Sequence, residues 1–320
     1  MSVIHSLRYS VVAALAVLLG WSVNAGLVQA QVVPGTGIKV EKAGDDFEDE
    51  SWDFTHNLPK GSKENDENTR GPLGMSSNRR WFEGPMRGQP DHLKRVKPPA
   101  GGIEGSTGAL LMQTLHSGVP RLVSHKPQQD DLVCNVRANT GGFFSVSRTP
   151  SVVARVFIPP PEQWENRTGV SFGFRAGTWG RFYNGPPRKN KEGKTTKPGE
   201  LDEYWPGMFV KLSPGKGQQP SSAQILVRAN QRGMDMAGPM IDEPGWWTLG
   251  MSFTPDGKIH YYASPGVDAL TADDYVTTSN PYGFVCERFS TYFFNVVNQD
   301  DGSTWSTPWV IDDCEMFVLR

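Results

Sequence analysis

Aromatic and arginine side chains occur together in two stretches of the chain that could bind a sugar. Sugar rings stack their C–H groups on aromatic rings, and planar polar side chains hold their oxygen atoms. One stretch follows a strand-like segment and the other closes the long loop after it, so both could meet at one mouth of the molecule. The residues that we expect to bind carbohydrate are Arg175, Trp179, Arg181, Tyr183, Tyr204 and Trp205. The alternative is that these aromatic rings cover the core beneath the loop.

Paired aspartates near the two ends of the chain could bind calcium. Asp45 and Asp46 begin the first strand-like stretch, and Asp312 and Asp313 lie in the last one. If 44–54 pairs in the same sheet as 309–319, these hard oxygen ligands come together. We expect a structural calcium ion at Asp46 and Asp312. Alternatively, the carboxylates accept hydrogen bonds from arginines or backbone amides, and an inward-facing Asp312 must have such a polar partner.

The chain contains three cysteines, so it can form one disulfide bond at most. Cys286 and Cys314 lie in strand-like stretches near the end of the chain, and we expect this pair to be bonded. Three buried free thiols are the alternative. The sequence contains no CxxC or HxH pair, and it therefore gives no indication of a zinc site.

Period-two alternation indicates that the chain is built from β-strands. Residues 151–158 alternate between two faces, as do 170–176, 225–229 and 309–319, and 247–263 has the pattern of a hairpin with a Pro-Asp-Gly turn. The 35 Gly and 25 Pro among 320 residues argue against a helical bundle. We therefore predict an all-β fold with two packed antiparallel sheets.

The ends and the loops suggest a single exported domain. Residues 1–30 have the pattern of a secretory signal peptide, with Arg8 before an apolar run and small residues at the end. The apolar run is shorter than the ~20 residues that span a bilayer, so we expect no membrane span after signal removal and a secreted or periplasmic protein. Residues 31–43 are a predicted linker before a domain over 44–320. Within it, 56–102 is rich in Pro, Gly and charge, as ligand-facing loops are.

Three stretches together resemble the concanavalin A-like lectin/glucanase superfamily. They are 45–48 (DDFE), the hairpin 247–262 and 309–317 (WVIDDCEMF). The resemblance spans about 44–320 and is a pattern of strands. It implies a jelly-roll β-sandwich with first and last strands close together and a curved sheet that presents its concave face to glycans or to proteins.

The resemblance raises the question of whether enzyme motifs of that superfamily are present. Laminarinase-type hydrolases carry two catalytic carboxyl groups on one strand, about 5 to 5.5 Å apart. Residues 200–205 (ELDEYW) supply the first two acids, but Tyr204 or Trp205 stands where the second catalytic acid belongs. Alginate-lyase-like members use Gln-x-His with a Tyr and an Arg. The segment 224–226 (QIL) lacks that His, although His260 and Tyr262 could substitute for it, with Arg175 or Arg228 as the carboxylate clamp.

These observations favour a secreted protein that binds a polysaccharide or a cell-surface glycan and lacks a complete catalytic motif. A formal net charge of -2 gives no electrostatic field for nucleic acid, so we expect no nucleic-acid partner. The alternatives are a polysaccharide lyase or glycoside hydrolase of the same fold, and a structural or protein-interaction role in the envelope.

Overall fold

The structure is a computed structural model that describes residues 32–189 and 194–319. The predicted signal peptide over 1–30 lies outside the described residues. The strands are β1 Ile38–Lys39, β2 Phe54–Thr55, β3 Met75–Ser76, β4 Trp81–Glu83, β5 His92–Val96, β6 Ala109–Gln113, β7 Gln128–Cys134, β8 Phe144–Ser145, β9 Ser151–Ile158, β10 Gly169–Phe182, β11 Arg188–Lys189, β12 Thr195–Thr196, β13 Asp202–Tyr204, β14 Gly207–Ser213, β15 Ser222–Val227, β16 Met236–Ile241, β17 Gly245–Phe253, β18 Ile259–Pro265, β19 Tyr275–Ser279, β20 Phe284–Asn298 and β21 Trp309–Val318.

Helical segments in the described part of the chain are short. The α-helices are α1 Lys63–Asp66 and α2 Val136–Thr140, and the 3₁₀ turns are Val146–Arg148, Pro161–Gln163, Ala272–Asp274 and Pro281–Gly283. Over residues 32–189 and 194–319, none of these helices has the length and apolar character needed to span a bilayer.

Two antiparallel sheets account for most of the strands. The small sheet has the order β19-β18-β17-β9-β21-β6-β5, and β1 adds to β21. The large sheet has the order β16-β15-β14-β10-β20-β7-β4-β3-β2, with β13 beside β10 and β8 beside β20. The sequence forms these strands because apolar side chains recur at every second position and Gly-rich turns separate them.

The core lies between the two sheets and is rich in aromatic rings. Phe172 of β10 contacts Trp309 of β21 with ring centroids 4.8 Å apart, and Phe253 of β17 contacts Phe289 of β20 at 5.0 Å. All four side chains are buried, and each stabilises the fold by roughly 1.5–3 kcal/mol through loss of apolar surface to water. The predicted all-β fold of two packed antiparallel sheets is thus confirmed.

The predicted hairpin over 247–263 is also confirmed. β17 and β18 pair from Trp247–Pro265 to Phe253–Ile259. In the turn, the backbone N–H of Thr254 donates to the carbonyl of Lys258 at 3.1 Å, and Gly257 adopts a φ of 75°. Glycine takes this left-handed conformation without steric cost, which is why the Asp-Gly pair specifies the turn.

The N-terminal segment joins the sandwich earlier than the sequence predicts. Ile38–Lys39, within the predicted linker, pairs with β21, and Asp45 forms a two-hydrogen-bond bridge with Cys314. The predicted pairing of 44–54 with the last strand therefore holds at Asp45 but is wrong at the far end, because Phe54–Thr55 pairs with β3 in the large sheet. The segment crosses from one sheet to the other after Asp45.

The predicted disulfide bond between Cys286 and Cys314 is wrong. Cys286 lies on β20 in the large sheet and Cys314 on β21 in the small sheet, and both thiols are free and buried, as is that of Cys134. The Sγ of Cys286 lies 3.9 Å from the carbonyl oxygen of Arg288, and the Sγ of Cys314 lies 3.9 Å from that of Asp312. The alternative of three buried thiols describes this chain.

Candidate functional site

The outward-facing positions of β10 carry the polar side chains of the candidate site. On this strand Phe172, Phe174 and Ala176 belong to the buried core. Because side chains alternate across a strand, the residues between and beyond them face away from the small sheet. These residues are Gly173, Arg175, Gly177, Trp179 and Arg181. We call the surface that they share with β7, β20, β14 and β15 the outer face.

Arg175 is a buried positive charge on the outer face. It is only 7% exposed, because its guanidinium lies over the rings of Phe209 and Phe293, 5.4 Å from each centroid. Nη2 donates to the carbonyl of Trp205 at 2.8 Å, whereas Nε is buried and has no hydrogen-bond partner. Among the described residues no carboxylate lies within ion-pair distance of Arg175. Burial lowers the pKa of this group to about 10.

Two further arginines flank Arg175 and complete what we call the arginine cluster. Arg87 forms an ion pair with Glu64, and Arg228 forms a bidentate pair with Asp235, with N–O distances of 2.6 and 3.1 Å. The positive charges of Arg87 and Arg228 also lower the pKa of Arg175, after burial and against the opposing effect of Tyr282. The three guanidinium groups therefore lie close enough to interact.

Tyr282 borders the arginine cluster. Its hydroxyl accepts a hydrogen bond from Nη1 of Arg228 at 3.3 Å, and its backbone has a φ of 57°. A Cβ on Gly233 would lie 2.3 Å from the Tyr282 ring, so glycine is needed there to leave room for it. A non-glycine residue in the left-handed region costs of order 1 kcal/mol, and such residues occur in turns and cluster at functional sites.

Asp131 and Asn295 are buried polar residues near Arg175 on the neighbouring strands of the large sheet. Asn295 pairs with Gly173 of β10 on one side and with Asp131 of β7 on the other. Its Nδ2 donates to Oδ1 of Asp131 at 2.7 Å, and Nε2 of Gln129 donates to the same oxygen at 2.9 Å. Burial raises the pKa of Asp131, while the charges of Arg87 and Arg175 oppose that effect.

The six predicted carbohydrate-binding residues do not form one cluster. Arg175 and Trp179 lie on the outer face, and the carbonyl of Trp205 holds Arg175 while its ring is partly exposed. Tyr183 is 60% exposed, and Arg181 forms an ion pair with Glu287.

Tyr204 is the predicted binding residue that the structure contradicts. Its ring is buried and stacks on Phe284 with centroids 4.6 Å apart. On the short strand β13 the neighbouring Glu203 pairs with Trp179, so Tyr204 points to the opposite side, into the core. The alternative that aromatic rings cover the core is correct for this residue.

The two aspartates predicted to bind calcium have different environments. Asp46 is exposed, and its Oδ1 accepts the backbone N–H of Glu48 at 3.3 Å. Asp312 is buried, with its Oδ2 3.0 Å from the hydroxyl oxygen of Ser106, and its Oδ1 accepts the backbone N–H of Asp313 at 2.8 Å. The prediction that Asp312 has a polar partner is confirmed. No group of three or more Asp, Glu, His or Cys side chains suited to a metal occurs in 32–189 and 194–319, so calcium binding stays a prediction.

The acids of the hydrolase-like run do not form a catalytic pair. Glu200 accepts the backbone N–H of Lys197 at 2.9 Å, and Asp202 binds Lys194 and the hydroxyl of Thr196. Glu203 lies on the other side of the strand from Asp202. These carboxylates hold the loop together instead of facing each other across a cleft.

The lyase-like substitutes are also separated from the arginines. His260 and Tyr262 lie on β18 in the small sheet, whereas Arg175 and Arg228 belong to the large sheet. Both ring nitrogens of His260 contact hydroxyls, that of Thr254 at 3.0 Å and that of Thr278 at 2.6 Å. His260 therefore cannot serve as a base beside the arginine cluster.

Four residues of the site were not found from the sequence: Arg87, Asp131, Tyr282 and Asn295. Arg87 lies in the segment 56–102 that composition marks as ligand-facing loops, and this is the one signal that pointed to it. Asp131 and Asn295 sit opposite each other across two strands that are 164 residues apart in the chain. A single sequence gives no information on such a pairing.

Comparisons with known proteins find similarity in structure only. No protein-family model matches the chain, and no curated protein matches it. A GH131 beta-glucanase catalytic domain from Podospora anserina has a TM-score of 0.39 at 10% identity, covering 78% of this chain and 86% of that one. An alginate lyase from Pseudomonas aeruginosa has a TM-score of 0.37 at 10% identity over 71% and 86% of the chains. An alginate lyase from Klebsiella pneumoniae has a TM-score of 0.33 at 10% identity over 73% and 84%. These likenesses concern the sandwich fold.

Proposed function

We propose that the protein binds an anionic polysaccharide on the outer face of the large sheet, with the arginine cluster receiving carboxylate groups of the sugars. The observation that carries this proposal is Arg175. A buried guanidinium is costly to maintain without a carboxylate in direct contact. Asp131 attracts Arg175 only from beyond ion-pair distance, and none of the described carboxylates pairs with it directly. A carboxylate on a ligand would supply that contact, in a planar, bidentate geometry.

The surroundings of Arg175 suit a sugar better than a small inorganic anion. The guanidinium of Arg175 lies over the rings of Phe209 and Phe293. Trp205 supplies the carbonyl to which Arg175 donates, and the ring of Trp205 is partly exposed. Aromatic rings next to planar polar groups are the usual means by which proteins bind the apolar and polar parts of a sugar together.

Binding to polygalacturonate and to a neutral glucan, measured by calorimetry on the chain without residues 1–30, tests this proposal. Arg175→Gln should weaken polygalacturonate binding at least about tenfold, since a charged hydrogen bond is worth roughly 1.5–3 kcal/mol. Arg121→Gln removes an exposed arginine outside the cluster and should have no effect. Equal binding by wild type and Arg175→Gln would show that the cluster is not the site.

A lyase is the second candidate function, and Tyr282 is the residue that favours it. Its hydroxyl contacts Arg228, which flanks Arg175, so the C5 proton of a uronate held by Arg175 could be removed nearby. The C4–O glycosidic bond then breaks, a C4=C5 double bond forms, and the leaving oxygen takes up a proton. Incubation with polyuronates should then release unsaturated products with ultraviolet absorbance. Tyr282→Phe should abolish their formation while binding of the polymer persists. If the wild-type protein binds polyuronate without releasing such products, the protein binds the polysaccharide and the lyase proposal is wrong.

The site of action that we propose is outside the cytoplasm. The support is the signal-peptide pattern of residues 1–30, together with a polymeric ligand of the kind found in cell walls and matrices. N-terminal sequencing of protein recovered from the periplasm or the medium tests this, with a mature end at residue 31 or 26 expected. A structural role in the envelope would be favoured instead if the exported protein bound no glycan.

A further inference from the structure

A second polar and aromatic patch lies on the outer face, farther along β10. Trp179 is partly exposed and meets the ring of Phe143 edge to face, with centroids 6.0 Å apart. Phe143 is 37% exposed, and the guanidinium of Arg137 lies 4.2 Å from its centroid. The indole N–H of Trp179 is buried and has no hydrogen-bond acceptor in the protein. An aromatic pair at the surface with an unused donor is suited to a ligand that has both C–H faces and oxygen atoms.

Between this patch and Arg175 the outer face bears a glycine and a carboxylate. Gly177 has no side chain, and a Cβ there would lie 2.8 Å from the hydroxyl of Ser290, so a larger residue does not fit without a shift. Oε1 of Glu203 lies 3.6 Å from the same Cβ position, which places the carboxylate over Gly177. Glu203 also pairs with Trp179 across β13 and β10. A carboxylate beside an aromatic ring can accept hydrogen bonds from sugar hydroxyls.

The separation of the two patches sets the size of a ligand that reaches both. Arg175 and Trp179 are four residues apart on one strand, which corresponds to roughly 13 Å at about 3.3 Å per residue. This distance exceeds the width of a single sugar ring. A monosaccharide or a short oligosaccharide held at the arginine cluster would therefore not contact Trp179.

We propose that Trp179, Phe143 and Glu203 form a second subsite that binds the uncharged face of a sugar residue farther along the same polysaccharide chain. This inference rests on the proposed function and extends it: the arginine cluster selects the acid, and the second subsite selects chain length. The protein then prefers oligosaccharides long enough to span both patches, and the two subsites contribute to affinity together because one chain links them.

Binding of oligogalacturonides of two and six residues, and of neutral cellohexaose, tests the second subsite. We expect wild type to bind the hexasaccharide at least tenfold more tightly than the disaccharide. Phe143→Ala and Glu203→Gln should each weaken hexasaccharide binding by about fivefold and leave disaccharide binding unchanged, because each removes a contact that only the longer chain reaches. Trp305→Ala removes a ring of equal exposure, 37%, that stacks on His92 of the small sheet, and it should change neither value.

The outcomes separate this inference from the proposed function. A hexasaccharide-to-disaccharide ratio that stays the same in folded Phe143→Ala and Glu203→Gln overturns the second subsite and leaves the arginine cluster intact. Suppose that neither oligogalacturonide binds but cellohexaose does, and that Phe143→Ala weakens cellohexaose binding. The second subsite is then supported, and the proposal that the arginine cluster binds carboxylates is wrong. Absence of binding by all three oligosaccharides overturns both. Thermal unfolding of each variant establishes that it is folded.

Discussion

At the scale of single residues, the hydroxyl of Ser106 joins two carboxylates but has one hydrogen to donate. Its oxygen lies 2.8 Å from Oε1 of Glu48 and 3.0 Å from Oδ2 of Asp312. The hydrogen bond from the hydroxyl of Thr107 holds the pKa of Glu48 down at about 2. Burial, with the charges of Asp313 and Glu48, raises the pKa of Asp312 to about 7. Glu48 is therefore the charged partner, and protonated Asp312 can donate to Ser106.

Asp312→Asn should make the free energy of unfolding less sensitive to rising pH. Because the pKa of Asp312 in the folded state lies above its ordinary value of 3.8, the stability it contributes is complete below about pH 4 and is lost as the pH rises through about 7. Asparagine keeps a donor and an acceptor without the charge. Urea unfolding should find the variant more stable than wild type at pH 8, by about 1–3 kcal/mol, and not at pH 4.

The charged groups around Asp312 define the control for that experiment. Asp313 is its neighbour on β21, Glu48 faces it through Ser106, and Arg155 is its partner on β9. All three are present in both proteins, so the difference between the two proteins reports the titration of Asp312 together with its coupling to them. Asp46→Asn removes an exposed carboxylate near the same strand end and should leave the pH dependence as it is. An equal loss of stability between pH 4 and pH 8 in wild type and Asp312→Asn would contradict the raised pKa of Asp312.

Alternation on a long strand assigned faces correctly where the strand is regular. It placed Arg175 opposite the apolar side of β10, as observed. It is wrong in pointing Asp312 into the core, because a β-bulge between Asp312 and Glu315 interrupts the alternation of β21. Asp312 lies on the opposite side from the core residue Ile311 and is buried under Ser106 instead.

Tyr204 was misassigned because its strand has three residues, too few for alternation to show which side is buried. Arg87 and Asn295 could not be assigned at all, since their roles depend on contacts between distant parts of the chain.

At the scale of elements, a buried ion network fixes the segment that carries Arg87. Nζ of Lys60 lies 2.8 Å from Oδ1 of Asp91 and 2.7 Å from Oδ2 of Asp130 on β7, and it donates to the carbonyl of His116 at 2.7 Å. Lys60 and Asp130 are buried. The network connects the start of the 56–102 segment to β7 at Asp130. The residue after Asp130 on β7 is Asp131, which belongs to the outer face.

Lys60→Met should destabilise the protein strongly and weaken ligand binding with it. Removing the ammonium leaves two carboxylates near each other in the interior, a change that costs about 3–5 kcal/mol. Urea unfolding measures the loss, and Lys97→Met, at an exposed lysine, is the matched control. Adding Asp130→Leu to Lys60→Met should recover part of the loss. A free energy of unfolding for Lys60→Met within 1 kcal/mol of wild type, about the size of an ordinary surface effect, would show that the ion network does not anchor the segment.

Elements were predicted from the sequence where they are long and regular. The alternation over 151–158 and the hairpin over 247–263 matched β9, β17 and β18. The two-residue strands of the N-terminal segment escaped detection because two residues show no period. Their pairing is decided by long-range contacts, as when Phe54–Thr55 joins the large sheet and Ile38–Lys39 the small one.

At the scale of the whole molecule, the sandwich assembles the site from parts that are far apart in the chain. Arg87 comes from the N-terminal loops, Arg175 from β10, Arg228 from the end of β15 and Tyr282 from the turn before β20. Glycine, proline and alternation sufficed to predict two sheets, because these features act locally. The order of strands within a sheet depends on which apolar faces fit together, and this decides which arginines meet.

The buried thiols provide a test of how the whole chain is held together. Burial raises the pKa of Cys134 and of Cys286 to about 12, and it raises that of Cys314 as well, so little thiolate forms at neutral pH. A thiol reagent should therefore modify less than one cysteine in the folded protein and three after denaturation without reductant. Dithiothreitol should leave the melting temperature unchanged, because the two sheets are joined by packing such as Phe172 on Trp309 and not by a covalent bond. A single reactive thiol in the denatured, unreduced chain would instead reveal a disulfide bond and require the strands to shift so that two of the cysteines meet.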